Sequence, residues 1–206
     1  MRGQEDAFLS LLDGHLVRAR HWTRLLDHDV EAIRSQGLRS LDIGLIHERL
    51  DQAHQRGLLT DAEHATLRSE HVLAGDGERY GRRADQVCLK LSAEAAPHDL
   101  PSVWRFLTFW GGEAIHWRHY DGEPSLVQKL RSLGRPALVT AALDFSTPDQ
   151  HRVHRSLVHA FVGKALGHAP ANADIFYQRP VPAEHIESVV FPGNQAYDRL
   201  PGLPAA

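Results

Sequence analysis

The chain has 206 residues, 42% of them hydrophobic, and a formal net charge of -3 at pH 7. This length suits one domain with a buried core, and the charge excludes the broad basic surface of proteins that bind nucleic acid through its phosphates. A single cysteine, Cys88, excludes an intrachain disulfide and a thiolate zinc cluster within one chain. No segment approaches the roughly 20 apolar residues that span a membrane, so we expect a cytoplasmic protein without membrane association.

The first predicted element is a strand. Residues Leu16 to Arg20 alternate between apolar and polar side chains, which is typical of a half-buried strand, and the run ends in His21-Trp22-Thr23. A short amphipathic helix follows and ends at Gly37, because glycine commonly terminates helices. Polar residues at the end of a buried strand are well placed to bind a ligand, since the scaffold fixes their position.

The next segment predicts a pair of helices. Apolar residues recur at helical spacing from Ile46 to Ala53, ahead of Gly57. Thr60 to Glu63 forms a capping-box signature, which begins a second helix toward His71. The sequence therefore predicts a helical insertion at about residues 44–72.

The middle of the chain combines a strand with an aromatic segment. Residues Gln86 to Leu91 have the pattern of a strand. The segment from Trp104 to Trp117 is rich in aromatic residues and has Gly111-Gly112-Glu113 at its centre. This aromatic segment is predicted to form one wall of a pocket.

The last third of the chain mixes helices with strands. The predicted elements are a helix from Pro124 to Leu133, a strand from Ala137 to Leu143, a helix from the N-cap Thr147 through Pro148 to Gly167, and strands from Asp174 to Tyr177 and from Ile186 to Phe191. This mixture predicts an α+β fold. We expect residues 1–200 to form a single domain and residues 201–206 to form a frayed tail.

In their order along the chain, these motifs resemble those of the ADP-ribosyltransferase-like superfamily of NAD-dependent proteins, especially the branch with DNA-modifying toxins and RNA 2'-phosphotransferases. In that branch the first strand commonly ends in H-x-T or H-x-S, a helix ending in G-L follows, and a late acidic residue precedes a V-P-x-x-x-I segment. The matching residues here are His21-Trp22-Thr23, Gly37-Leu38, Asp174 and the segment from Val181 to Ile186. The resemblance covers the two ends of the chain and leaves its middle unaligned.

The resemblance implies a split β-sheet core with a helical insertion, and NAD as a substrate. It implies that His21 and Thr23 hold the nicotinamide ribose and amide, and that Asp174 stands where the family places its catalytic glutamate. Aspartate is one methylene shorter than glutamate and would fall short of that geometry, so Glu113 is a second candidate for the catalytic acid. Aromatic residues that could stack on the nicotinamide and arginines that could bind the pyrophosphate are Tyr80, Trp110, Trp117, Tyr177, Arg20, Arg24, Arg82 and Arg83.

The implied reaction is cleavage of the bond between nicotinamide and ribose, followed by transfer of ADP-ribose to a macromolecular acceptor, a protein or a nucleic acid. A carboxylate beside the positive charge that develops on the ribose would stabilise the transition state. The helical insertion is expected to select the acceptor, because long insertions in compact folds are often functional.

Other functions stay open on the sequence alone. One alternative is a binding module of the same fold without activity, since Asp174 departs from the family's glutamate. Another is an RNA 2'-phosphotransferase or NAD glycohydrolase. The 15 histidines also permit a metal site without thiolates, although the chain lacks an H-E-x-x-H motif. The two candidate ligand sets are His151, His154 and His159, and His47, Glu48 and His54.

Each candidate residue also has a purely structural interpretation. His21 and Thr23 would then end a strand and enter a turn, and Asp174 would cap a strand after a loop. Glu113 would be a surface acid beside a glycine turn, with its aromatic neighbours in the core.

Overall fold

The computed structural model describes residues 7–8, 10–74, 84–91, 100–146, 151–154, 157–167, 173–200 and 202–204. Its strands are β1 (Leu16–Leu25), β2 (Val87–Lys90), β3 (Arg135–Asp144), β4 (His151–His154), β5 (Asp174–Tyr177) and β6 (Ile186–Val190). Its helices are α1 (Asp27–Gln36), α2 (Ile43–Gln55), α3 (Asp61–Ser69), α4 (Leu100–Thr108), α5 (Gly112–His116), α6 (Pro124–Ser132), α7 (Leu157–Ala165) and α8 (Gln195–Asp198). Short 3-10 helices lie at Trp117–His119 and Ala183–His185.

The strands form one sheet in the order β4-β5-β2-β1-β3-β6, and each neighbouring pair is antiparallel. The pairing of β1 differs sharply on its two sides. It pairs with β3 over its whole length, from Leu16 opposite Asp144 to Leu25 opposite Arg135. It pairs with β2 at a single position, Arg20 opposite Lys90. The sheet is therefore weakly joined between β1 and β2. Its antiparallel strands, together with the helices, confirm the predicted α+β class.

The two faces of β1 pack against different layers, because alternate side chains of a strand point to opposite sides of a sheet. Val17, Ala19 and Leu25 belong to the main core, which also contains apolar residues of α1, α7 and β5. Trp22 lies on the other face and packs against Val103 and Leu107 of α4. Helices thus cover both faces of the central strand.

The two predicted helices of the insertion are present as α2 and α3. The carboxylate of Asp42 caps α2 by accepting a hydrogen bond from the Leu45 amide at 2.6 Å. Thr60 and Glu63 form both bonds of the predicted capping box at the start of α3. These helices share a second core with the segment around α5 and α6, so the insertion packs against the wall that carries Glu113.

The G-L and V-P segments lie directly against each other. Leu38 and Val181 exchange two backbone hydrogen bonds, of 2.9 and 2.8 Å. Gly37 has a φ of 83°, and a Cβ atom there would lie 1.9 Å from the Val181 carbonyl oxygen. Only glycine fits this position, so the contact explains why the helix ends in this residue.

Two predicted boundaries are wrong. β1 does not end at the H-x-T motif but continues to Leu25, because Thr23 and Leu25 remain paired with β3. Residues His151–His154 form strand β4 along the edge of β5, so the predicted helix begins only at Leu157. Pairing with a sheet edge has overridden a local helical pattern. The predicted N-cap Thr147 and its neighbour Pro148 lie outside the described residues.

The described part of the predicted tail is packed rather than frayed. The Trp104 indole donates a hydrogen bond to the Gly202 carbonyl at 2.9 Å, and the Tyr197 hydroxyl donates to the Pro204 carbonyl at 3.2 Å. Leu203 packs against the apolar cluster around Trp22. Within the described chain, no helix combines the length and the apolar character needed to cross a membrane.

Candidate functional site

A cavity of about 750 Å³ lies at the weak junction between β1 and β2. His21 and Thr23 line it from β1, and residues 86–88 line it from the β2 side. Helices α1 and α2 and the turn before α5 supply the other walls. Ligand pockets commonly have volumes of about 300–1,000 Å³, so this cavity is large enough for a cofactor-sized molecule.

His21 is a neutral hydrogen-bonding group in the cavity wall. Its Nδ1 lies 2.9 Å from the Cys88 carbonyl oxygen and donates to it, across the junction between β1 and β2. Burial lowers the pKa of His21; the bond to Cys88 opposes this change, and the nearby charge of Arg49 adds to it. The proton on Nδ1 leaves Nε2 as an acceptor.

Thr23 stands on the same face of β1 as His21, because the two are separated by one residue. Its side chain is buried, and it lines the cavity with His21. The sequence predicted these two residues as the start of the binding site. The structure places both of them in one cavity.

The turn before α5 carries Glu113 into the same cavity. Gly111 and Gly112 have φ values of 81° and 56°, and Glu113 follows in the first turn of α5. The Glu113 side chain is 15% exposed, and its Oε1 lies 3.8 Å from Nη2 of Arg105. The cavity therefore brings Glu113 together with His21 and Thr23, as the sequence predicts for an acid and its binding residues.

We expect the two glycines of this turn to differ in their tolerance of alanine. A Cβ atom on Gly111 would lie 2.4 Å from Cδ1 and 2.7 Å from Cβ of Ile115, whereas one on Gly112 would meet nothing within 4 Å. Gly111→Ala should lower the free energy of unfolding by about 3 kcal/mol, from backbone strain and overpacking, and Gly112→Ala by about 1 kcal/mol, from strain alone. Urea denaturation measures both, and equal losses would contradict the role of Ile115.

Asp174 does not reach this cavity. It is the first residue of β5, and its Oδ1 accepts a bond of 2.7 Å from Nζ of Lys90, which lies opposite it on β2. Only 7% of the Lys90 side chain is exposed, so Asp174 balances a buried charge. The structure thus gives Asp174 a structural contact and leaves Glu113 as the predicted acid that lines the cavity.

The structure also places Arg24 away from the cavity. Arg24 is on the opposite face of β1 from His21, and its guanidinium donates to the carbonyl oxygens of Leu133 and Leu107 at 2.6 and 3.2 Å. Arg24 is one of the four arginines predicted as candidates for the pyrophosphate, but it lies three residues from His21, and an odd separation places two strand residues on opposite faces.

The aromatic residues predicted to stack on the nicotinamide differ in their position relative to the cavity. Trp110 is fully buried behind the cavity, and its indole nitrogen donates to Oδ2 of Asp29 at 3.0 Å. Trp117 lines the cavity and is 38% exposed, with the Arg105 guanidinium 5.4 Å from the centre of its ring. Tyr177 lies in the main core. Tyr80, Arg82 and Arg83 lie outside the described residues.

The sequence did not single out the ion pair that forms the polar wall of the cavity. Arg49 of α2 donates from Nε and Nη2 to the two carboxylate oxygens of Asp29 in α1, at 2.8 and 3.1 Å. Burial raises the pKa of Asp29, but the charge and hydrogen bonds of Arg49, together with bonds from Trp110 and the Leu26 amide, hold it below its usual range.

A usable signal for this wall was present in α2. Cavity-lining residues recur there at helical spacing, beside the apolar stripe of the same helix. They are Leu45, Glu48, Arg49 and Gln52.

The metal interpretation gains no support from the described residues, where no group of three or more histidine, cysteine, aspartate or glutamate side chains could hold a metal ion. His151 and His154 lie in β4 and His159 in α7, so these three do not share a helical face. His47 instead meets His71, with their Nε2 atoms 3.3 Å apart.

Comparisons of this chain with protein-family models, with curated protein sequences and with solved structures give no match.

Proposed function

We propose that this protein is an NAD-dependent ADP-ribosyltransferase, which cleaves the bond between nicotinamide and ribose and transfers ADP-ribose to a macromolecular acceptor. The observation that carries the proposal is the meeting of His21, Thr23 and Glu113 in one cavity. His21 and Thr23 belong to the predicted H-x-T motif, and Glu113, the second candidate for the catalytic acid, comes from a segment about 90 residues further along the chain.

Three further observations support the proposal. The cavity opens where β1 and β2 share only one pair, which fits a split sheet. The Gly37-Leu38 and Val181-Pro182 segments, both part of the resemblance, are in direct contact. The cavity also offers a neutral acceptor nitrogen on His21, a hydroxyl on Thr23 and a carboxylate on Glu113, which suit the hydroxyl, amide and cationic groups of a nicotinamide riboside.

The chemistry follows from the roles of these groups. NAD supplies a ribose whose C1' is bonded to a pyridinium nitrogen, so nicotinamide departs as a neutral molecule with the bonding electron pair. The Glu113 carboxylate stabilises the positive charge that then develops on the ribose. His21 accepts a hydrogen bond from a ribose hydroxyl, and Thr23 orients the amide. The acceptor's nucleophilic atom bonds to C1', and its proton passes to Glu113.

The test is release of nicotinamide from NAD by the purified protein, alone and with a cell lysate as the source of acceptor. We expect turnover by the wild type and a loss of about 100-fold in His21→Ala, which removes one hydrogen bond to the reacting sugar. His15→Ala is the matched control, because His15 is exposed and does not line the cavity. Neither binding nor turnover of NAD by a folded wild type would refute the proposal.

A further inference from the structure

His28 presents an unsatisfied polar atom at the cavity. It lies in α1 and is 6% exposed, and it lines the cavity together with Asp29. Its Nε2 has no hydrogen-bond partner among the described residues. The nearest carboxylate oxygen, Oδ1 of Asp29, is 3.9 Å away, too far for a hydrogen bond. Buried polar atoms are almost always paired in proteins, so an unpaired one beside a cavity is unusual.

Arg49 offers a second polar group at the same part of the wall. Its bonds to Asp29 use Nε and Nη2. Among the described residues no hydrogen bond engages Nη1, whose N–H groups can donate to another acceptor. The Asp29 carboxylate is itself fixed by the Trp110 indole and the Leu26 amide. The guanidinium is therefore held in one orientation before any ligand arrives, which lowers the entropy that binding would cost.

The carboxylates that line the cavity are each paired with an arginine. Each lining carboxylate has a guanidinium within 4 Å: Asp29 has Arg49, Glu48 has Arg39, and Glu113 has Arg105. Burial lowers the pKa of His28 as it does that of His21, which favours uncharged imidazoles at neutral pH. The described lining residues, three carboxylates and two guanidiniums, therefore carry no excess of positive charge, which favours an uncharged polar ligand group over a phosphate.

We propose that His28 and Arg49, with Asp29 holding Arg49 in place, form a subsite that binds an uncharged, oxygen-bearing group of NAD, a hydroxyl or an amide. Arg49 donates a hydrogen bond from Nη1 to the oxygen, and Nε2 of His28 forms a second hydrogen bond with the same group. This subsite rests on the proposed function and adds specificity-determining residues that lie outside the H-x-T motif. Asp29 acts as a positioning residue through Arg49.

The first test replaces His28 with phenylalanine, which has a similar shape and no polar atom. The affinity for NAD should fall about tenfold, the value of one lost hydrogen bond. The Tm of the ligand-free protein should not fall, because the variant removes a buried polar atom that had no partner. A merely structural histidine would behave in the opposite way, with a lower Tm and an unchanged affinity.

His119→Phe is the matched control. His119 is also buried, and its Nε2 has no partner within the described parts of the chain, but His119 does not line the cavity. This variant should therefore keep the wild-type affinity for NAD. A lower Tm of ligand-free His28→Phe, or equal affinities of the two variants, would overturn the subsite. A wild type without affinity for NAD would instead overturn the proposed function. In that case the Tm of ligand-free His28→Phe would still show whether His28 stabilises the fold.

The second test follows the imidazole nitrogens of His28 by NMR, with NAD and inorganic pyrophosphate as separate probes. The signals should shift with NAD and stay in place with pyrophosphate, because the subsite takes an uncharged group. An equal shift with pyrophosphate would overturn the assignment of ligand class. Arg49→Lys should weaken binding of NAD about tenfold while keeping the charge, since lysine lacks the planar fork.

Discussion

Glu113→Gln is expected to lower the rate of nicotinamide release by about 100- to 1,000-fold, the usual loss when an enzyme loses one electrostatic contact to its transition state. Glutamine keeps the size and hydrogen-bonding capacity of the side chain but removes the negative charge. That charge matters most when the ribose becomes positive, so we expect kcat to fall and KM for NAD to change little. Steady-state kinetics of nicotinamide release measures both constants.

Two control variants make this result specific. Glu184→Gln removes an exposed carboxylate that does not line the cavity, and it should leave the kinetics unchanged. Asp174→Asn removes the charge of the other predicted acid, whose carboxylate is bonded to Lys90. It should lower the free energy of unfolding and leave kcat close to the wild-type value. Loss of turnover in Asp174→Asn with normal turnover in Glu113→Gln would reverse the assignment of the catalytic acid.

Asp29→Ala is expected to cost about 3–5 kcal/mol in the free energy of unfolding, the range for breaking a buried ion pair from one side. The carboxylate is 5% exposed and accepts bonds from Arg49, the Trp110 indole and the Leu26 amide. Its removal leaves all three donors without their acceptor and the Arg49 charge without compensation. Urea denaturation measures the loss.

The matched control is Asp51→Ala. Asp51 also accepts bonds from a basic pair, His64 and Arg68, but its side chain is 40% exposed, so its loss should cost about 1 kcal/mol or less. The double variant of Asp29 and Arg49 should be more stable than the sum of the single losses predicts. Equal losses for Asp29→Ala and Asp51→Ala would contradict the role given to burial.

The same pair predicts how stability responds to acid. Because the pKa of Asp29 is lowered in the folded protein, its contribution is present above the ordinary aspartate pKa of about 4 and is lost as the pH falls through the lower folded value. Asp29→Asn should therefore show a shallower loss of stability below this pH than the wild type does.

The parts of the site that sequence predicted are those with local signals. The H-x-T motif, the glycine turn before Glu113 and the capping box of α3 each depend on a few neighbouring residues. Their backbone geometry follows from local chemistry, so they could be placed without knowledge of the whole chain.

The parts that sequence did not predict depend on contacts between distant segments. Arg24 was predicted as a pyrophosphate-binding residue, but the two-residue period of a strand places it on the other face of β1 from His21. The role of Asp174 is fixed by Lys90 on a neighbouring strand, and β4 exists because an edge of β5 accepts it. The helical spacing in α2 marks the face that carries Arg49, but no short motif records that Arg49 pairs with Asp29 of another helix.

The position of β1 in the sheet also sets the order in which the molecule can be completed during synthesis. Both of its neighbours, β2 and β3, come later in the chain. Val181, which exchanges backbone hydrogen bonds with Leu38, comes later still. At typical translation rates, β3 leaves the ribosome roughly 6–24 s after β1. Until then the emerging chain carries β1 without the strand that pairs along its whole length, which makes it a candidate for chaperone protection, and the cavity is complete only when the late segments have been made.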